Sequence, residues 1–100
     1  MKDFIEISER IEFDWDESNI KKNEIKHGIY YKECEQAFQN NTIISEDIKH
    51  SKQEKRFQCL GMTDSKKLIF ISFTLRNYKI RIISARPMSK KERRQYEKSI

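Results

Sequence analysis

The sequence predicts an α+β fold with two N-terminal helices, a four-stranded antiparallel sheet and a C-terminal helix. Two helix-length segments precede residue 42, and they end at the stop signals Gly28 and Asn40-Asn41. Strand-like apolar runs then follow one another to residue 85, with short polar turns between them, as in a meander. A charged segment after Pro87 opens with a capping motif, which predicts the last helix. The length of 100 residues predicts one domain.

Residues 11–16, before the helices, alternate apolar and acidic side chains, with Ile11, Phe13 and Trp15 on one side. This period of two is typical of a half-buried strand, so an extra edge strand near Phe13 is compatible with the sheet. Residues 1–10 show weak patterning, and we interpret them as an N-terminal extension or a short strand.

Capping signals predict the bounds of the first two helices. Asp16 or Ser18 can cap the first helix, which runs to about His27, and Gly28 follows where a left-handed residue belongs. The second helix is predicted over residues 31–39. Its apolar face, at helical spacing, consists of Tyr31, Cys34, Ala37 and Phe38.

Four strands make up the predicted sheet, over residues 42–49, 56–63, 67–75 and 78–85. The third strand is so continuously apolar that we expect it to be central and covered on both faces. In the fourth strand, simple alternation predicts two faces. They are Ile80, Ile82 and Ser84 on one side, and Arg81, Ile83 and Ala85 on the other.

The last helix is predicted over residues 89–98, where Ser89 and Glu92 match a capping box. A helix this polar either lies in solvent or meets a charged partner. Arg93 and Tyr96 lie one turn apart, so they either face water or can stack on a base or hold a phosphate.

The charge is unevenly distributed along the chain. Residues 1–50 carry seven Lys or Arg against twelve Asp or Glu, a net charge of −5, whereas residues 51–100 carry fourteen against four, a net charge of +10. The basic half indicates an anionic partner such as nucleic acid. The alternative is a basic surface balanced by an acidic one within the same fold.

Cysteine usage and hydropathy predict a cytoplasmic protein that makes no membrane contact. Cys34 and Cys59 are far apart in sequence, and residues 1–10 lack the apolar core of a signal peptide, which fits buried free thiols in a reducing compartment. The longest apolar run, residues 68–73, is too short to span a membrane. The two histidines and two cysteines have no metal-ligand spacing, so we expect no metal or other cofactor.

Arginines within and beside the strands are the main candidates for phosphate binding. Arg81 has apolar neighbours on its own predicted face, so it needs either an internal carboxylate or an external anion as partner. Arg56, Arg76 and Arg86 lie at strand ends. A guanidinium matches phosphate bidentately and stays charged at any working pH.

Two histidines are candidates for proton transfer. His27 precedes Gly28 at a helix C-terminus, a position that suits either a cap or a general acid. His50 lies in a polar loop beside Ser51, Glu54 and Lys55, where it either moves protons or is simply solvated.

These residues, in this order, resemble BrnT-type toxins. The resemblance covers residues 11–98 and begins with Phe13-Asp14-Trp15-Asp16, Lys26-His27-Gly28-Ile29 and Glu35. It continues with Asp47, His50-Ser51, Glu54, Arg56, Gly61, Thr74 and Arg76, and it closes with residues 81–86 (RIISAR), 92–94 (ERR) and Tyr96. Tyr30 stands where the family often has Ser, and Pro87-Met88 replace small or polar residues.

The resemblance implies the toxin of a type II toxin-antitoxin system, a metal-independent endoribonuclease with a RelE-like fold that cleaves RNA and inhibits translation and growth. It also implies a ribbon-helix-helix antitoxin of BrnA type, with operator DNA bound only through the toxin-antitoxin complex. Together with the residue types, it assigns Arg56, Arg76, Arg81 and Arg86 to the phosphate and His27 or His50 to proton transfer. Lys26, Glu54 and Tyr96 are further candidates for proton transfer, and the base is left unassigned. The expected RNA-binding residues are Lys26, Glu54, Lys55, Arg93 and Tyr96.

Two other functions are compatible with the same residues. One is a catalytically inactive module that binds nucleic acid or an antitoxin. The other is a protein-interaction domain whose arginines pair only with its own acidic half.

Overall fold

The computed structural model describes residues 11–100, apart from the side chains at positions 23 and 25, and the predicted extension at residues 1–10 lies outside the described residues. The described part is α+β, with three α-helices and a four-stranded antiparallel sheet. In chain order the elements are α1 (Glu17–His27), α2 (Tyr31–Gln39), β1 (Ile43–Glu46), a 3₁₀ helix (Ile48–His50), β2 (Arg56–Met62), β3 (Leu68–Arg76), β4 (Lys79–Pro87) and α3 (Lys90–Ser99). The RelE-like arrangement remains a prediction from the resemblance.

The sheet is a meander with strand order β1-β2-β3-β4. The first predicted strand was too long, because β1 ends at Glu46 and the chain turns into the 3₁₀ helix. Asp47 explains this early end, since its side chain accepts a hydrogen bond from the backbone N–H of His50. Such a side-chain contact offers the backbone an alternative to the sheet ladder.

Local capping contacts hold the ends of α1 and α2. Asp16 and Asn19 exchange hydrogen bonds at the start of α1, each side chain accepting from the other's backbone N–H at 2.8 and 2.9 Å. Gly28 has φ of +68°, which confirms the left-handed residue after α1. At the start of α2, Tyr30 supplies no side-chain cap, but the Glu33 carboxylate accepts from the Tyr30 N–H at 3.0 Å.

The main core lies between the sheet and the first two helices. Its buried residues from the helices are Cys34, Ala37 and Phe38. Gly61 lets α2 approach β2 closely, since a Cβ at this position would lie 2.9 Å from both the Cβ and the carbonyl oxygen of Ala37. The sheet contributes Phe57, Cys59, Ile69, Ile71, Phe73, Ile80, Ile82 and Ala85.

A β-bulge in β4 overturns the predicted alternation of its faces. Ser72 pairs with Ser84 but the next residue, Phe73, pairs with Ile82, so Ile83 is the extra residue. Beyond the bulge, Ala85 joins Ile82 in the main core and Ser84 changes to the other face. A bulge is set by pairing with the neighbouring strand, and alternation within one strand does not reveal it.

The segment before α1 lies beside β4 but does not form a fifth strand of the sheet. Phe13 makes a single parallel bridge to Ile80, and the backbone of Ile80 exchanges hydrogen bonds with Glu12 and Asp14 at 2.9 and 2.8 Å. Phe13 and Trp15 pack against the main core, as their alternation predicted.

A smaller core forms where α3 packs on the other face of the sheet. It contains Leu60, Met88 and Tyr96, with Met62 and Phe70 partly buried against them. The capping box of Ser89 and Glu92 opens α3, which confirms the predicted start of that helix. β3 is central, as predicted. Its face toward the main core is buried, but its other face is only partly buried at Leu68, Phe70 and Ser72, so the expectation that both faces are covered holds in part. No helix among residues 11–100 is long and apolar enough to cross a membrane.

Candidate functional site

The sheet face that carries α3 changes from apolar to polar along its strands. One cross-strand row, Ile43, Leu60, Phe70 and Arg86, lies by α3. The next row is Ser45, Gln58, Ser72 and Ser84, and the last is Arg56, Thr74 and Arg81. These last two rows are called the polar half of the sheet. A groove of about 220 Å³ separates part of it from the start of α3.

Arg56 and Arg81 lie in the same row of the polar half. Arg56 pairs with Thr74 across β2 and β3, and Thr74 pairs with Arg81 across β3 and β4. Adjacent strands lie about 4.8 Å apart, so the Cα atoms of the two arginines are about 10 Å apart. Thr74 is buried, and its hydroxyl donates to the carbonyl of Lys55 at 2.6 Å, which holds the start of β2 in place.

The loop between β1 and β2 places His50 and Arg56 on the same cavity. Ser51 closes this loop, since its hydroxyl donates to the Asp47 carbonyl at 2.7 Å and accepts from the Arg56 N–H at 2.9 Å. The Asp47 N–H also donates to the Arg56 carbonyl at 2.7 Å. An open cavity of about 690 Å³ forms over this loop, lined by Lys49, His50, Lys52, Gln53, Glu54 and Arg56.

Asp47 orients the imidazole of His50. The Nδ1 atom of His50 lies 2.9 Å from Oδ2 of Asp47, which leaves Nε2 available for proton transfer. Desolvation raises the pKa of Asp47, but hydrogen bonds from His50 and Gln58 outweigh it and lower the pKa overall. The Asp47 carboxylate therefore stays ionised beside the ring.

Arg81 has internal carboxylate partners. Its Nη2 lies 2.8 Å from Oδ2 of Asp16, and its Nη1 lies 3.6 Å from Oδ1 of Asp14. The hydrogen bond to Asp16 is the main reason why the pKa of Arg81 is raised. Hydrogen bonds from Asn19 and Arg81 lower the pKa of Asp16. Of the two partners predicted for Arg81, the structure contains the internal one.

Arg56 differs from Arg81 because no carboxylate among residues 11–100 forms an ion pair with it. Arg76 has a weaker ion pair than Arg81 has, since its Nη2 lies 3.8 Å from Glu54 and both side chains are about half exposed. Lys55 is also exposed and lies 3.9 Å from Glu46. Among residues 11–100, Arg56 is thus the cavity arginine without an ion-pair partner, whereas Arg76 and Lys55 each lie near a carboxylate.

Arg86 is tied to α3. Its two terminal nitrogens bind the two carboxylate oxygens of Glu92 at 2.8 and 2.9 Å, and its guanidinium lies 4.1 Å from the centre of the Phe70 ring. Hydrogen bonding to Arg86 is the main cause that lowers the pKa of Glu92. Tyr96 is buried, and its hydroxyl donates to the Asn41 carbonyl at 2.7 Å. The Tyr96 ring is therefore packed in the smaller core and is not exposed for stacking.

The other predicted site residues lie at the opposite end of the sheet. His27 and Arg93 line a cavity of about 370 Å³ together with Lys66, Lys67 and Leu68. Leu68 and Thr74 are six residues apart on β3, or about 20 Å. Lys26 is exposed beside His27 at the end of α1. The structure thus brings His50, Glu54, Lys55, Arg56, Arg76 and Arg81 together at one end and leaves His27, Lys26 and Arg93 at the other.

Sequence reasoning did not select Asp47, Ser51 or Thr74 as site residues. Asp47 could have been selected from its spacing, because it lies three residues before His50 in a polar loop. Thr74 and Ser51 act on the backbone, and their partners become visible only in the folded chain.

Metal ligation has no candidate cluster within residues 11–100, where no three His, Cys, Asp or Glu side chains are placed to hold an ion. Cys34 and Cys59 are buried free thiols in the main core. Burial raises the pKa of Cys34 to about 12 and that of Cys59 still further. Neither thiol is available as a nucleophile.

Comparison with known proteins supports the resemblance found in the sequence. No curated protein matches the chain. A family model described as the ribonuclease toxin BrnT of type II toxin-antitoxin systems matches residues 15–92. This range contains α1, α2, the whole sheet, the loop with His50 and the start of α3. The chain therefore belongs to the BrnT family, the ribonuclease toxins of type II toxin-antitoxin systems.

Proposed function

We propose that this chain is a metal-independent endoribonuclease toxin that cleaves RNA on the polar half of its sheet and thereby inhibits translation and growth. The observation that carries the proposal is the position of Arg56, without an ion-pair partner among residues 11–100, beside the His50–Asp47 pair. A cation for the phosphoryl charge and an oriented imidazole for one of the two proton transfers are groups that phosphodiester cleavage uses, and both lie on one cavity.

The proposed reaction uses the 2′-OH of RNA as the nucleophile. The 2′-oxygen loses its proton and forms a bond to phosphorus, the bond from phosphorus to the 5′-oxygen breaks, and that oxygen takes up a proton. The products are a 2′,3′-cyclic phosphate and a 5′-OH. Negative charge increases on the phosphoryl oxygens in the transition state, where a guanidinium stabilises it most.

We assign Arg56 to this charge and His50 to one of the two proton transfers, with Asp47 as the residue that positions it. Arg76 and Arg81 bind the phosphate or its neighbours, once RNA competes with Glu54 and with Asp14 and Asp16 for them. Glu54 lines the cavity and Lys55 lies next to it in the chain, so both contact the RNA strand beside the cleaved bond.

Arg86 and Tyr96 have a different proposed role, because both are already engaged within the fold. They hold α3 against the apolar part of the sheet, and α3 in turn borders the polar half. We keep His27, Lys26 and Arg93 as contacts for a more distant part of the RNA, since they lie about 20 Å from the Arg56 row.

The family implies an antitoxin partner, and we propose a ribbon-helix-helix antitoxin of BrnA type. An acidic segment of such a protein would neutralise the cavity of Lys49, Lys52 and Arg56 and block RNA. Operator DNA would be bound only through the complex. A cytoplasmic location follows from a substrate and a partner that are both found there.

A second candidate is an inactive module that binds nucleic acid or the antitoxin. The observation that favours it is the pairing of Arg81 with two carboxylates in the free chain. If RNA does not displace Asp16, one of the two arginines of the row stays neutralised.

Cleavage of RNA in EDTA by the purified protein separates these two functions. The proposal predicts fragments that end in 2′,3′-cyclic phosphate and 5′-OH. Addition of the purified cognate antitoxin should abolish the cleavage. Salt-sensitive RNA binding without strand scission would instead support the inactive module.

A further inference from the structure

The tip of the β3–β4 hairpin carries a tyrosine in a backbone conformation that favours glycine. Arg76 pairs with Lys79, so Asn77 and Tyr78 form a two-residue turn. Their φ angles are +53° and +65°, as in a type I′ turn. Asn is well suited to the first position, whereas the second is usually Gly because a side chain there is strained.

Nothing in the described part of the chain compensates this strain. Tyr78 is 100% exposed, more than any other large hydrophobic residue among residues 11–100. Its ring contacts none of the described aromatic rings, and no hydrogen bond to its hydroxyl forms within the same residues. The ring therefore contributes little to the fold, and its whole surface is open to contact with another molecule.

Cations flank this ring in the hairpin, and two of them have carboxylate neighbours. Arg76 lies 3.8 Å from Glu54, and Arg81 is paired with Asp14 and Asp16. The pair of Arg76 and Lys79 that closes the turn lies two residues beyond the pair of Thr74 and Arg81, so it continues the cationic side of the sheet toward the tip. Tyr78 is three residues from Arg81, at most about 10 Å along the chain. A flat exposed ring next to several cations matches single-stranded nucleic acid, in which bases alternate with phosphates.

We propose that Tyr78 stacks on an unpaired base of the RNA substrate while the adjacent arginines bind its phosphates. The inference rests on the proposed function and deepens it, because it names single-stranded RNA as the substrate and the hairpin tip as its guide. Tyr78 is a binding residue with no part in bond cleavage, and the antitoxin is not its partner.

Tyr78→Gly is the informative variant, because glycine suits the turn and removes the ring. The expected result is a protein at least as stable as the parent that binds single-stranded 2′-O-methyl RNA about 5- to 100-fold more weakly, the range for loss of one stacked base. The 2′-O-methyl group removes the nucleophile, so binding is measured by fluorescence polarisation without cleavage.

Matched variants show whether stacking is responsible. Tyr78→Phe and Tyr78→Trp should keep the affinity, whereas Tyr78→Leu should lose it. The slope of log affinity against log salt should stay the same in Tyr78→Gly and become smaller in Arg76→Ala, because only the second change removes a phosphate contact.

These measurements distinguish failure of the Tyr78 inference from failure of the proposed function. If the parent binds 2′-O-methyl RNA through Tyr78 but cleaves no RNA, the catalytic proposal is wrong and this inference stands. If the parent cleaves RNA and Tyr78→Gly binds it equally well, the inference is overturned. It is also overturned if the parent binds no RNA, or if the substitution weakens the antitoxin complex alone.

Discussion

At the scale of single residues, the guanidinium groups of Arg56 and Arg81 share one row of the sheet but differ in their neighbours. Arg56 lies on the cavity with His50, whereas Arg81 is held by Asp14 and Asp16. An ion pair already formed must be exchanged for the one with phosphate, so it subtracts from affinity. We therefore expect Arg56 to contribute more than Arg81 to the binding of phosphate.

The competition for Arg81 can be tested with Asp16→Asn. Asn caps helices as well as Asp does, so the start of α1 should persist while the charge next to Arg81 is lost. We expect RNA affinity at low salt to rise by about 2- to 5-fold, the size of a partly exposed ion-pair effect. Glu17→Gln, next to it and exposed, is the control for general charge. Equal effects in both variants would show that Asp16 does not restrain Arg81.

The assignment of proton transfer to His50 predicts a different result for the two histidines. His50→Gln should lower the single-turnover cleavage rate by about 10²- to 10⁴-fold, the usual contribution of a general acid or base. His27→Gln should leave this rate unchanged, because His27 lies at the other end of the sheet. A larger loss in His27→Gln would move the cleavage site to that end.

At the scale of elements, α3 is a helix with few apolar residues that nevertheless packs on the sheet. Tyr96 supplies the packing, and the bidentate pair of Glu92 with Arg86 holds the first turn. Both contacts join α3 to the apolar end of the sheet and leave the polar half accessible from the groove. The helix thus borders the candidate site without covering it.

Loss of the Glu92 pair should change stability in a pH-dependent manner. The pKa of Glu92 is lowered from 4.5 in the folded chain. The Glu92 carboxylate therefore contributes fully to the free energy of unfolding above pH 4.5, and this contribution is lost as the pH falls through the lowered pKa. Glu92→Gln should cost about 1 kcal/mol at pH 7, discounted for the partial exposure of Arg86. The difference in the free energy of unfolding between Glu92→Gln and the parent, measured with urea, should become smaller below pH 4.5. The control is the exposed Glu97→Gln, and a gap that is constant with pH would contradict this account.

A variant of Tyr96 tests whether this residue of α3 stabilises the fold or binds RNA. Tyr96→Phe removes the hydrogen bond to Asn41 and keeps the ring, so we expect a loss of about 0.5–1.5 kcal/mol in the free energy of unfolding. The rate of RNA cleavage should be unchanged. A cleavage defect in a variant of near-parental stability would return Tyr96 to the RNA-binding residues predicted from the sequence.

At the scale of the whole molecule, ion pairs join the acidic and basic halves of the chain at Arg81, and also between Lys67 and Glu33 and between Lys55 and Glu46. Asp14 and Asp16 come from the acidic half and neutralise one arginine of the basic half. Arg86 and Arg76 instead pair with carboxylates of their own half. Arg56 forms no ion pair within residues 11–100, so ion pairing among these residues does not account for all of the arginines.

Elements specified by nearby residues could be predicted from the sequence. The bounds of α2, the left-handed Gly28 and the capping box of α3 all depend on side chains a few positions apart. The 3₁₀ helix after β1 has the same origin in Asp47, but there the side chain competes with the sheet ladder, and sequence alone does not decide the outcome.

Features that depend on pairing between distant residues could not be predicted. The bulge at Ile83 exists only relative to β3, and it decides which face Ser84 and Ala85 occupy. The separation of His27 from His50 likewise follows from the direction of the strands between them. Residue types therefore indicated phosphate chemistry, whereas the location of that chemistry required the fold.

The central claim is that RNA is cleaved at the Arg56 row. Its most direct test is the single-turnover cleavage rate of one labelled RNA in EDTA, compared between Arg56→Ala and Arg94→Ala, an exposed position on α3. The account predicts a loss of at least about 100-fold for Arg56→Ala, as for other transition-state contacts, and a near-parental rate for Arg94→Ala. Parental cleavage by a folded Arg56→Ala protein would contradict it.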